Sequence, residues 1–127
     1  MHHVQQLING EFVDSKTSEW IDLTDPATQE VIAKVPQTTD DEINEAVAAA
    51  KEAFKTWRKT PITTRARIFL TYQALIREHM DELAELLTSE QGKTIADARG
   101  DVFRGLEVVE HAAGIANLQM GDFVENV

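Results

Sequence analysis

Gly92-Lys93-Thr94, in the stretch "EQGKT", are the residue types that close a phosphate-binding loop. In such a loop the lysine reaches phosphate oxygens and the threonine hydroxyl meets a magnesium ion. The loop also needs a glycine five residues ahead of the Gly-Lys pair, because the turn must bring several backbone N–H groups onto one phosphate. Leu87 holds that place, on an apolar stripe in "ELAELLTSEQGKT", and a helix rather than a strand precedes it. Phosphate-loop chemistry is excluded. Lys93 is then expected to be a solvated residue at a helix start.

A second candidate follows in "GDVFRG", where Arg104 stands between Gly100 and Gly105. Its small neighbours leave room for a ligand. The same residues also suit a surface arginine paired with Asp101 or Glu107. Asp101 by itself fits a helix-surface aspartate. The histidines are His2, His3, His79 and His111. "EVVEH" puts Glu107 and His111 on one helical face, a solvated contact rather than a ligand set. Cysteine is absent, which removes thiol nucleophiles, thiolate metal sites and disulfides from this chain.

The elements that must position these residues come from a chain of 127 residues, enough for one small domain with a core. Its 43% hydrophobic and 27% charged content is that of a soluble globular protein. A net charge of −10, from 22 acidic and 12 basic side chains, repels phosphate backbones and anionic headgroups. Nucleic acid and membrane are therefore excluded as partners. No apolar run approaches the ~20 residues that span a bilayer. "MHHVQQLINGEFV" lacks the basic patch and apolar core of a secretory signal, so a cytoplasmic home is expected.

Strand signals fill residues 1–37, and two or three short strands are expected there. In "LINGEFV", Asn9-Gly10 suits a tight hairpin because both residues tolerate positive φ. "EWIDLTD" and "EVIAKVP" are strands flanking the turn "DPATQE", where Asp25 can bond the backbone ahead and Pro26 fixes φ. From residue 38 to 127 the period is helical, with helices expected near 40–59, 62–90 and 94–119. "TDDE" is a capping box of Thr39 and Glu42. Ile43, Ala46, Val47, Ala50, Phe54 and Trp57 form the apolar stripe of the first helix, which Pro61 ends. The second should turn Ile68, Tyr72, Leu75, Ile76, Leu83, Leu86 and Leu87 inward, then stop at Gly92 in the left-handed conformation. "QGKT" is thus a helix stop and a helix start, with Thr94 as N-cap and Asp97 as its acidic partner. The third carries Val102, Leu106, Val109, Ala113, Ala116 and Met120. Its Gly100, Gly105 and Gly114 imply close helix packing or the near approach of a bulky partner. The fold class is α+β and mostly helical, with short N-terminal strands and a hairpin before three long helices.

"LINGEFVDS", "DPATQEVIAKVP", "AVAAAKEAFKTW", "RARIFLTYQALI" and "EQGKT" occur in the order and at the spacing of the N-terminal region of aldehyde dehydrogenases. "GDVFRGLEVVEHAAG" is more selective and resembles the CoA-acylating branch that handles methylmalonate and malonate semialdehydes. The resemblance covers essentially the whole chain. It departs from the family where Asp25 replaces a frequent Asn and Gln29 a frequent Gly. It implies that the chain is the first part of an NAD-binding domain in an α/β enzyme, inactive alone and without cofactor contacts or catalytic residues of its own. The whole enzyme would use NAD and coenzyme A and form a homo-oligomer. Arg104 would hold the substrate carboxylate, and Asp101 with the Thr24 carbonyl would line a monovalent cation site. Two other readings are a non-catalytic helical module binding a protein through its third helix, and a general NAD-dependent aldehyde dehydrogenase making free acids. Apolar helix faces carrying Val102, Leu106 and Val109 are expected to drive self-association.

Overall fold

The computed structural model describes residues 2–125. The outer ends of the expected ranges, Met1, Asn126 and Val127, lie outside the described residues. The chain forms two compact units, Met1–Lys59 with Ser89–Gly92, and Thr60–Thr88 with Lys93–Val127.

The first unit contains strands β1 (His2–His3), β2 (Gln6–Ile8), β3 (Glu11–Val13), β4 (Trp20–Thr24) and β5 (Val31–Pro36), and helix α1 (Asp40–Trp57). β2 and β3 are the expected antiparallel hairpin, with Ile8 opposite Glu11. Asn9 and Gly10 take φ of 54° and 82°, the pair of positive values that a two-residue turn requires. β5 is the centre of a three-stranded sheet, antiparallel to β4 and parallel to β1. Five strands among the described residues exceed the two or three expected. β1 is two residues long and has no alternation to read; pairing to β5, not propensity, makes it a strand.

The helix α1 begins where the capping box places it. The Thr39 hydroxyl accepts from the Glu42 N–H, and Glu42 accepts from the Thr39 N–H. Its apolar stripe is largely open in the described structure: Ile43, Val47, Phe54 and Trp57 are 44–57% exposed.

The helices α2 (Ile62–Glu78), α3 (Met80–Gln91), α4 (Ile95–Ala113) and α5 (Ile115–Leu118) follow. The helix expected over 62–90 is therefore divided. His79 leaves the helical conformation with φ −102° and ψ 18°. Its N–H still bonds to the Leu75 carbonyl while its own carbonyl accepts from Leu83, so one residue ends α2 and opens α3. Arg77 before the break and Asp81-Glu82 after it complement the dipoles of an ending and a starting helix.

The helix expected over 94–119 is likewise two helices, parted at Gly114, which closes α4 rather than sitting in a helix interior. The buried apolar side chains of the second unit are Ile76, Ala84, Ala98 and Leu106. Leu106, 1% exposed, faces this core and is removed from the expected self-association face. Phe103 and Val108 are the exposed apolar residues beside it on α4. No helix among the described residues is long and apolar enough to cross a membrane.

Candidate functional site

Thr94 caps α4 by accepting from the Asp97 N–H, which fixes where the helix starts and so which residues share a face. Asp101 and Arg104, three apart, meet on that face. Asp101 Oδ1 lies 3.3 Å from Arg104 Nη2, and Asp101 Oδ2 accepts from Lys93 Nζ. Lys93 is thus an ion-pair partner, not the solvated residue expected. The Lys93 hydrogen bond is the main reason that the Asp101 carboxyl is held below the usual carboxylate range. Burial opposes the shift, and the charges of Lys93 and Arg104 add to it.

The Arg104 side chain is 67% exposed, against 36% for Asp101. A Cβ added at Gly100 or Gly105 would meet nothing within 4 Å. The close helix packing expected at these glycines is absent among the described residues. The space above Gly100 and Gly105 is open, and only part of the Arg104 guanidinium is engaged by Asp101.

Thr24, the other residue of the expected cation site, ends β4 at a shift in the β4–β5 register. The turn that follows is closed by Asp25. Its Oδ1 accepts from the Ala27 and Thr28 N–H groups, and its carbonyl accepts from Gln29. Gln29 sits at φ 64°, the left-handed region that favours glycine. Gly92, at φ 74°, stops α3 as expected, and a Cβ there would come 2.7 Å from the Pro26 ring.

Glu42 does more than the capping box implies. Its Oε1 accepts from the Lys16 N–H at 2.7 Å, and its Oε2 accepts from the Ser15 hydroxyl at 2.9 Å. One buried carboxylate therefore ties the loop after β3 to the start of α1. The backbone N–H groups of Thr39 and then Lys16 lower its pKa to about 2, against burial, with the Ser15 and Thr39 hydroxyls assisting. Local spacing shows only the Thr39 half of this arrangement. Ser15 and Lys16 lie too far along the chain for any pattern to join them to Glu42.

The described residues contain no glycine-rich turn from a strand into a helix, the cradle that a dinucleotide pyrophosphate needs. No group of three His, Asp or Glu side chains among them is placed to hold a metal ion.

The family profile "Aldehyde dehydrogenase family" matches residues 12–126. The chain belongs to the aldehyde dehydrogenase family. Within it, the chain is 60% identical over 124 residues to the mitochondrial acylating methylmalonate-semialdehyde dehydrogenase of Arabidopsis thaliana, a match covering 98% of this chain and 20% of that protein. It superimposes with a TM-score of 0.92 on a structure described as a methylmalonate-semialdehyde dehydrogenase from Sinorhizobium meliloti 1021 complexed with NAD. That match has 40% identity and covers 98% of this chain and 26% of the other. A methylmalonate-semialdehyde dehydrogenase from Oceanimonas doudoroffii gives a TM-score of 0.88 at 36% identity, over 93% of this chain and 24% of that one. The chain spans about a fifth to a quarter of the length of these relatives.

Proposed function

We propose that this chain serves an NAD- and CoA-dependent dehydrogenase that converts methylmalonate or malonate semialdehyde to propionyl- or acetyl-CoA with loss of carbon dioxide. The observation that carries this reading is the 60% identity, over 98% of the chain, to an acylating methylmalonate-semialdehyde dehydrogenase. The chain supplies no cysteine, so a thiolate that attacks the aldehyde comes from residues outside it. The 127 residues alone are expected to form no NADH with any aldehyde. A homo-oligomer in the cytoplasm completes the proposal.

In this reading Arg104 binds the substrate carboxylate. Its support is an arginine fork that is mostly exposed, flanked by two glycines with open space, and engaged on one side only. The monovalent-cation reading of Asp101 and the Thr24 carbonyl competes with it. Both Asp101 oxygens already face cations, and an added ion would have to displace one of them.

The test is an assay of the whole protein encoded with this chain, using malonate semialdehyde and propanal, with and without coenzyme A. The expected result is CoA-dependent NADH formation with acyl-CoA as product. Free acid formed without coenzyme A would favour a general aldehyde dehydrogenase, and no NADH at all would favour an interaction module. Arg104→Leu should raise KM for the semialdehyde about ten- to a hundredfold, the loss of a charge-assisted hydrogen bond worth about 1.5–3 kcal/mol. KM for propanal, which has no carboxylate, should move far less. Equal effects on both would refute the role of Arg104.

A further inference from the structure

We infer that Lys93 sets the charge of the carboxylate site. It holds the second oxygen of Asp101, so that Lys93, Asp101 and Arg104 together present a net charge of +1 to the substrate. This rests on the reading of Arg104 as the carboxylate-binding residue.

The starting point is a conflict in the local electrostatics. Asp101 pairs with Arg104 from one turn away on α4, and an isolated Arg–Asp pair is neutral overall. An arriving carboxylate would meet a guanidinium already compensated and would be repelled by Asp101 itself. Lys93 resolves this because it takes Oδ2, the oxygen that Arg104 leaves. Two cations then share one anion, and the excess charge is presented at the exposed partner, Arg104, rather than at the less exposed Lys93.

The position of Lys93 points the same way. It directly precedes the N-cap Thr94, where the helix dipole disfavours a cation. A lysine at that place needs an anion, and Asp101 is the one it reaches. The open space beside Gly100 and Gly105 leaves room for a carboxylate to approach the remaining edge of Arg104.

The experiment compares charge variants of the whole protein by their KM for malonate semialdehyde and for propanal. Lys93→Gln makes the cluster neutral and should raise KM for the semialdehyde about three- to tenfold, a range set by solvent screening of a partly exposed charge. The rise for propanal should be much smaller. Lys93→Gln combined with Asp101→Asn restores the charge of +1 and should bring KM back towards wild type, which loss of structure could not do. Lys93→Arg should keep it low.

A silent Lys93→Gln, an equal rise for both substrates, or a double variant no better than Lys93→Gln would overturn the inference. Should Lys93→Gln fail to fold, Asp101→Asn alone decides. At +2 it should keep or lower KM for the semialdehyde, and a threefold rise would refute the charge balance. The Arg104→Leu variant separates the two levels of the reading. If it keeps its preference for the carboxylated substrate, the carboxylate site itself is wrong; if it loses that preference while Lys93→Gln is silent, only the role of Lys93 falls.

Discussion

Glu42 and Asp101 are both carboxylates kept ionised by their neighbours, through opposite means. Glu42 is buried, and backbone N–H groups and hydroxyls hold it, with no side-chain cation among its hydrogen-bond donors in the described residues. Asp101 lies nearer the surface, and two cationic side chains hold it. In the first arrangement two of the donors are backbone N–H groups, of a loop and of a helix start, which cannot rotate away as a side chain can. The second can exchange partners, since lysine and arginine side chains rotate and water can replace either. A carboxylate satisfied by backbone defines architecture; one satisfied by side-chain cations sets the charge that a ligand meets.

Acid unfolding should separate the two most widely. The Glu42 carboxyl has a folded pKa of about 2 against an ordinary value of 4.5. Its stabilisation is therefore complete above pH 4.5 and is lost as the pH falls from there through 2. Glu42→Gln should lower the urea midpoint at pH 7 and flatten its fall in that acid window. Asp101→Asn should leave the neutral-pH midpoint close to that of wild type, because exposed ion pairs contribute little to stability. If Asp101→Asn were as damaging as Glu42→Gln, the contrast would break.

A smaller effect sharpens it. Thr39→Ala removes the hydroxyl of the capping box but leaves the Ser15 and Lys16 bonds to Glu42. It should cost about 1 kcal/mol in urea unfolding, the value of an N-cap. A loss well above that would mean that Glu42 depends on Thr39 more than on the loop. The smallest effect involves no charge. Gln29→Gly should shift stability by no more than about 0.5 kcal/mol, since relief of the left-handed backbone is offset by the added chain entropy of glycine and by loss of the bond that the Gln29 amide donates to the Pro26 carbonyl. Calorimetry of this variant at pH 7 and pH 4 should give the same shift.

What the sequence made legible is the chemistry of adjacent residues. Asn9-Gly10 turned as expected, Thr39 and Glu42 formed their box, and Gly92 and Thr94 ended one helix and began the next. Each depends on residues within a few positions, so spacing suffices. The break at His79 was missed because apolar periodicity runs through it. The signal lay in the charges, basic Arg77 followed by acidic Asp81-Glu82. The bonds from Ser15 and Lys16 to Glu42 could not be read, because they join residues 26 and 27 positions apart. The pairing of Arg104 with Asp101 was one of two that the sequence offered, Glu107 being the other. The part played by Lys93 was hidden, because a reach across two helical turns has no fixed spacing.

The seating of Pro26 against Gly92 carries a consequence for how this sequence can change over evolutionary time. The two positions lie in different segments, yet the proline ring fills the volume that any side chain at 92 would need. Substitution at 92 is closed twice, once by its positive φ and once by its neighbour. Shrinking residue 26 lifts only the second barrier, and afterwards asparagine or aspartate is the side chain best suited to the backbone that remains. The order of events is therefore constrained: a lineage that loses Gly92 must first have lost Pro26, and the reverse path runs through a destabilised intermediate.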